Sequence, residues 1–416
     1  MSGETNDLIL AAVPRITIEV WYNSPTALAL MQEAIKDRHM TKPHVELMPG
    51  GISAALEHYQ ANATPNLIIV EANPDRRAFF SELDQLAEFC DANTRVIALG
   101  RTNDILLYRD LLARGVSEYI VETFDVLDLV RAISQLYAAT ATTGSLGRIV
   151  AFYGAKGGAG SSTLAHNVAW CAANKIGIST VLADLDLPFG TAALDFNQDP
   201  VQGIADAVLA PDRLDGNVLE RLLSKVGDKL SLLAAPVNLE QSYDLDPEGF
   251  DYLLDLLRAT VPLTILDVPH GWSGWARRVM LAADEIILVS EPDLASLRNV
   301  KNILDRLVPD RPNDERPKVI VNKLQIPKRP EIKFDDFTKA IGFAPFAAIE
   351  FDPKNFGTAA NNGQMLGEIP NVKAYGQCLD LTYAVTRKGE PKAAKKRDLI
   401  GLLKSGKLSL SLKKRS

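Results

Sequence analysis

Ten consecutive residues near the middle of the chain carry the types and spacing to hold a polyphosphate: Gly154-Ala-Lys-Gly-Gly-Ala-Gly-Ser-Ser-Thr163. The preceding run, Ile149–Tyr153, is apolar and reads as a buried strand. The following run repeats apolar residues at helical spacing (Leu164, Val168, Cys171, Ala172). A glycine-rich turn from a strand into a helix aims several backbone N–H groups inward, toward the positive end of the helix dipole, and that arrangement binds phosphate. Gly157, Gly158, Ala159, Gly160 and Ser161 form the cradle, and the hydroxyls of Ser162 and Thr163 suit magnesium and the α-phosphate. Two further apolar runs end in acids: Thr180-Val-Leu-Ala-Asp184, continued by Leu-Asp186, and Leu263-Thr-Ile-Leu-Asp267. A carboxylate just beyond a buried parallel strand is placed to hold magnesium-bound water.

The loop departs from the pattern G-x-x-x-x-G-K-[ST] at two places. Ala155 stands where the first glycine belongs and Ser161 where the lysine belongs, while Lys156 precedes the paired glycines. A lysine at this early position marks the deviant Walker A motif, so the loop resembles that of the ParA/MinD family of P-loop ATPases. The resemblance runs in family order from Ile149 to about Tyr383. It implies ATP and Mg2+ as cofactors and a nucleotide-dependent homodimer, in which Lys156 reaches the partner's nucleotide. It also implies that Asp186 orients water and magnesium, that Ser162, Asp186 and Asp267 hold the metal partly through water, and that Asn322 reads the adenine edge. Losing the later lysine removes a charge-assisted hydrogen bond, about 1.5–3 kcal/mol. Nucleotide affinity survives such a loss; fast phosphoryl transfer does not. His270 follows the second of these acidic runs closely and either approaches the nucleotide or is structural. Trp272 and Trp275 either anchor an interface or pack locally.

These groups need a parallel sheet to position them. At 416 residues the chain has room for two or three domains. Strand candidates in its first third are Ile16–Trp21, Val45–Met48, Leu67–Val70, Val96–Leu99 and Glu118–Val121, separated by amphipathic stretches such as Ala27–Asp37, Ile105–Ala113 and Val126–Tyr137. Five βα units of this size look like a response-regulator receiver in the flavodoxin-like order. The receiver's chemistry is missing: Asn23-Ser24 replaces the acidic pair, Glu71 the phosphate-accepting aspartate, Gly100 the hydroxyl residue, and Glu122-Thr123 the usual Lys-Pro. The expected architecture is therefore α/β. A tail over 1–14 precedes a flavodoxin-like pseudo-receiver over 15–140. A linker over 141–147 leads to a P-loop NTPase domain with a mostly parallel sheet over 148–387, and a basic tail covers 388–416.

Three widely spaced cysteines, Cys90, Cys171 and Cys378, argue against a disulfide framework or a zinc site and for a reducing compartment. The polar, acidic N-terminus lacks the pattern of a secretory leader, and no apolar segment reaches bilayer length. A cytoplasmic protein is expected, with membrane contact only from the surface. From Arg387 onward there are eleven basic and two acidic residues, although the whole chain is at −7. The tail's Leu399, Ile400, Leu402 and Leu403 leave three readings open: a lipid-binding amphipathic helix, a partner or nucleic-acid contact, or a solvated end. A pseudo-receiver ahead of a ParA/MinD-type ATPase domain resembles the CpaE/TadZ family of Flp/Tad pilus assembly. That family implies a polar, membrane-peripheral partner of pilus or secretion proteins. The alternative is a partitioning or division-site positioning ATPase. The acidic body of the chain argues against sequence-specific nucleic-acid binding.

Overall fold

The computed structural model describes residues 10–91, 93–121, 125–138, 146–237, 239 and 245–387. The readings of Glu122-Thr123, most of the linker and the basic tail from 388 lie outside them. The described residues form thirteen strands. They are β1 (Thr17–Tyr22), β2 (His44–Pro49), β3 (Leu67–Glu71), β4 (Arg95–Gly100), β5 (Glu118–Val121), β6 (Arg148–Gly154), β7 (Thr180–Asp184), β8 (Ser224–Lys225), β9 (Leu230–Leu233), β10 (Leu263–Val268), β11 (Glu285–Ser290), β12 (Lys318–Leu324) and β13 (Ala347–Glu350). Eight of them, β1 to β7 and β10, coincide to within two residues with the runs named above, and two-residue β8 is too short to announce itself.

The first five strands make one parallel sheet in the order β2-β1-β3-β4-β5, the flavodoxin-like arrangement. Its central strand β3 is Leu67-Ile-Ile-Val-Glu71, wholly buried, because both faces are covered. Leu67 and Ile69 pack on helices 25–35 and 126–138 through Met31 and Ile133. Ile68 and Val70 pack on helices 51–59, 76–89 and 105–113 through Ile52, Phe79 and Leu111.

The remaining eight strands form a second sheet, β13-β12-β11-β6-β10-β7-β9-β8, parallel except at the β8–β9 edge. Its alternation is equally direct. Ile149, Ala151 and Tyr153 of β6 face helices 249–260, 274–282 and 294–307, while Val150 and Phe152 face helices 161–171 and 373–386. A helix–strand register of this kind puts β6 at the centre, with β11 and β10 on either side. The strand order reverses there, which is where such sheets bind ligands beyond their carboxyl ends.

The two α/β units meet through a buried guanidinium. Arg38, in the turn Arg38–Met40, donates from Nε to both carboxylate oxygens of Asp314 (3.1 and 2.9 Å) and from Nη1 to the Ala282 carbonyl (3.1 Å). Its Nη2 reaches Asp284 at 3.0 Å. Asp284 also accepts from Arg258 (2.5 Å) and from the backbone N–H of Ile149 (2.8 Å), at the foot of β6. Burial disfavours the charged Asp284 carboxylate, but Arg258 and Arg38 outweigh it and hold its pKa well below the usual range. Asn313 adds a bond to Asp37 at 2.8 Å.

Candidate functional site

Beyond the end of β6 the chain turns through Ala155–Gly160 into helix Ser161–Cys171. Gly160 is the residue before that helix and has φ +92°, a conformation that favours glycine. A Cβ there would lie 2.5 Å from the Asn322 amide nitrogen. Among the described residues, the N–H groups of Gly157, Gly158, Gly160, Ser161, Ser162 and Thr163 have no protein acceptor. They border a cavity of about 310 Å³ lined by Gly158, Gly160, Ser161, Ser162, Thr163, Asn322 and Asp352 among others. That is the lower end of the size range of small-molecule sites.

The expected residues converge, in some cases in unexpected states. Asn322 lines the cavity, but both ends of its amide are committed: Nδ2 donates to the Ala159 carbonyl (2.9 Å) and Oδ1 accepts from the N–H of Lys323 (2.9 Å). Just past Asn322, β12 carries a bulge with Lys323 at φ +54°, and the Lys323 ammonium then reaches the Gly158 carbonyl. Lys156 does not hang free. Its Nζ lies 2.5 Å from Asp293 Oδ2 and 3.1 Å from Glu291 Oε2. Burial opposes its charge, yet the two carboxylates prevail and raise its pKa above the usual lysine value. Buried Glu291 also contacts Lys323 (3.3 Å) and Arg329 (2.8 Å), so one carboxylate is shared by three cations around the loop.

At the strand ends opposite the loop, Asp267 and Asp184 are direct neighbours in register, and both are buried. Burial, then repulsion from Asp267, pushes the Asp184 carboxyl up to about 7. Asp186 is half-buried and is raised by burial, opposed by a bond from the Phe189 N–H. Fully buried His166, on the loop's own helix, stands between two acids. Its Nδ1 is 2.7 Å from Asp195 Oδ2 and its Nε2 is 3.3 Å from Asp267 Oδ2. Burial works against the imidazolium, but the carboxylates raise its pKa to about 10. The sequence reading missed His166, Asp195, Glu291 and Asp293, because none of them sits at a motif spacing. His270 donates from Nδ1 to the Gly154 carbonyl (2.9 Å), bracing the loop's base. Trp275 stacks on Phe250 at 4.9 Å, whereas Trp272 is 48 % exposed.

A nucleotide with magnesium fits this site on two observations. The loop offers unpaired backbone donors, and Asp267 Oδ1 is buried with no hydrogen-bond partner, an orphaned acceptor that a cation or its water would satisfy. No helix among the described residues is long and apolar enough to cross a membrane.

The first unit's receiver-type site is closed by its own chain. Glu71, at the end of β3, is buried and accepts from the N–H groups of Asn23 (2.6 Å) and Ser24 (2.7 Å). Ser24 caps the helix that follows. The glutamate thus fills the anion position with its own carboxylate. Gly100 is explained by Tyr119, whose hydroxyl would lie 2.3 Å from any Cβ at that position. Beryllofluoride with magnesium is expected to leave the NMR spectrum of the 15–140 region unchanged. Glu71→Ala, by stranding two backbone donors, is expected to lower the unfolding free energy measured in urea by about 2–3 kcal/mol. A magnesium-dependent spectral shift around Glu71 would reverse this assignment.

No protein-family model matches the chain. A septum site-determining protein MinD of Synechocystis is 28 % identical over 191 residues, 45 % of this chain and 67 % of that protein. Across the curated relatives the matched stretch runs from 51 % to 80 % of their own lengths. The solved structure of a ParA family ATPase from Chlorobium tepidum is 25 % identical with a TM-score of 0.52. That match covers 56 % of this chain and 98 % of the other. A pilus assembly protein CpaE from Caulobacter crescentus is 40 % identical over 30 % of this chain and 97 % of its own, with a TM-score of 0.30.

Proposed function

We propose, from the chain's homology to MinD/ParA-family P-loop ATPases, that it binds ATP and Mg2+ and works as a nucleotide-dependent dimer. In this reading it positions the secretion machinery of a Flp/Tad-type pilus and hydrolyses ATP slowly. The observation that carries the nucleotide part is the loop's set of unpaired N–H groups, those of Gly157, Gly158, Gly160, Ser161, Ser162 and Thr163. Those donors and the hydroxyls of Ser162 and Thr163 would hold the phosphates, and Asp186 and Asp267 would hold the metal with Ser162. Magnesium would supply charge neutralisation on the phosphate oxygens. Ser161 contributes a hydroxyl where related loops place an ammonium, so phosphate binding rests on backbone dipoles and turnover is slow. The pilus role draws support from the pairing of a receiver-like unit lacking its aspartate with this variant loop.

Calorimetry is expected to show magnesium-dependent ATP binding in the micromolar to sub-millimolar range, and no binding of ATP or ADP up to millimolar concentration would end the reading. Ser161→Lys is expected to raise turnover about tenfold or more, following the roughly 1.5–3 kcal/mol of the restored contact. A second reading, a division-site positioning ATPase, draws on the MinD match. A fluorescent fusion that follows the septum rather than the pilus pole would favour it.

A further inference from the structure

We infer that His166 is a positioning residue for Asp267, holding one oxygen of that carboxylate so that the other is presented to the metal of the proposed magnesium–nucleotide complex. The inference rests on the nucleotide-binding reading above and extends it to a residue outside the motif. His166 lies on helix Ser161–Cys171 and is completely buried. Its ring spans two carboxylates from different elements. Asp195, at the end of the short helix Ala192–Asp195, makes a 2.7 Å hydrogen bond to Nδ1, which fixes the plane and tautomer of the ring.

The opposite edge then faces Asp267 Oδ2 across 3.3 Å. This second contact is not saturated: neither His166 Nε2 nor Asp267 Oδ1 has a hydrogen-bond partner. Here the ring lies against one oxygen of Asp267 and leaves the other, buried and without a hydrogen-bond partner, at the carboxyl end of β10 beside Asp184. The arrangement is a carboxylate–histidine–carboxylate chain running from the half-exposed Asp195 to the buried end of the site. The helix that begins with the phosphate loop thus also supplies, five residues on, the group that orients the acid across from it. Groups that orient a metal-ligating side chain alter metal affinity by about 10- to 100-fold when removed.

The test measures affinity for a fluorescent ADP analogue on the full chain, in EDTA and in excess Mg2+, for wild type, His166→Ala, His166→Gln and Asp195→Asn. The magnesium-dependent gain in affinity is expected to fall about tenfold or more in His166→Ala and by a smaller factor in Asp195→Asn. His166→Gln, which keeps a donor, is expected to recover part of it. Affinity in EDTA is expected to stay within about twofold of wild type in all three. If His166→Ala does not fold, Asp195→Asn at the outer end of the chain decides alone. An unchanged magnesium gain in folded variants overturns the role of His166 and leaves the nucleotide reading standing. Equal losses in EDTA and in Mg2+ also overturn it, since they mark a structural residue. A wild type that binds no nucleotide in either condition overturns both.

Discussion

Replacing Arg38 with alanine is expected to cost about 3–5 kcal/mol of stability and to separate the unfolding of the two α/β units into distinct urea transitions. The guanidinium is buried and makes two bonds to Asp314, one to Asp284 and one to a backbone carbonyl. Removing one partner of a buried pair leaves uncompensated charge, which is costlier than never having built the pair. Asp284 and Asp314 keep Arg258 and Arg311 as partners, which places the expected loss toward the lower end. The effect should spread to the nucleotide loop, because Asp284 also anchors the N–H of Ile149, at the start of the strand that delivers it.

The same clamp sets an acid limit. The folded Asp284 carboxyl lies well below its ordinary 3.8, and Asp37 is held at about 2: burial opposes the charge, and bonding from His39 outweighs it. Groups with a depressed folded pKa stabilise above the unfolded pKa and lose that contribution as pH falls toward the folded value. The wild-type units should therefore separate as pH drops below about 4, and hold together from there to neutrality. A single cooperative transition in Arg38→Ala, at the wild-type midpoint, would show that the clamp contributes nothing.

Much of this molecule is legible in its sequence, for reasons visible in particular residues. β6, β7 and β10 are wholly buried because both sheet faces are covered; β6 and β7 end in Gly154 and Asp184, and Asp267 stands one residue before the end of β10. The loop's glycines and hydroxyls are contiguous, so their joint chemistry needs no tertiary information. The first unit is legible in its five apolar runs, and Glu71 stands at the end of the third. The contacts that set the site's electrostatics are not local. Lys156 finds Asp293 137 residues away, and Arg38 finds Asp314 276 residues away. No periodicity encodes such pairs, since a crossover connection brings them together. His166 was hidden for the same reason: its partners come from a short helix and from the far end of another strand.

Lys156→Ala is expected to abolish ATP-dependent dimerisation while changing ATP affinity of the monomer by no more than a few-fold. In the proposed dimer two triphosphates face one another, and with Ser161 in the loop the only loop cation available to offset their repulsion is Lys156 from each subunit. In the single chain that lysine is held by Asp293 and Glu291, so reaching a partner's nucleotide requires leaving them. The clamp opposes dimerisation, and Asp293→Asn weakens it. Asp293 also caps helix 294–307 by accepting from the N–H of Ser296 at 2.8 Å. Asparagine preserves that cap and removes only the charge. Lys156 and Asp293 are each about a third exposed, so solvent screening limits the pair to about 1 kcal/mol. Two clamps open per dimer, which sums to about 2 kcal/mol, or roughly 30-fold in the dimer dissociation constant. Sedimentation velocity with ATP and with ADP should show Asp293→Asn assembling at about thirtyfold lower concentration than wild type, and Lys156→Ala remaining monomeric. A Lys156→Ala protein that dimerises like wild type would remove the lysine from the interface. An Asp293→Asn protein that assembles no better than wild type would mean that the clamp does not restrain it.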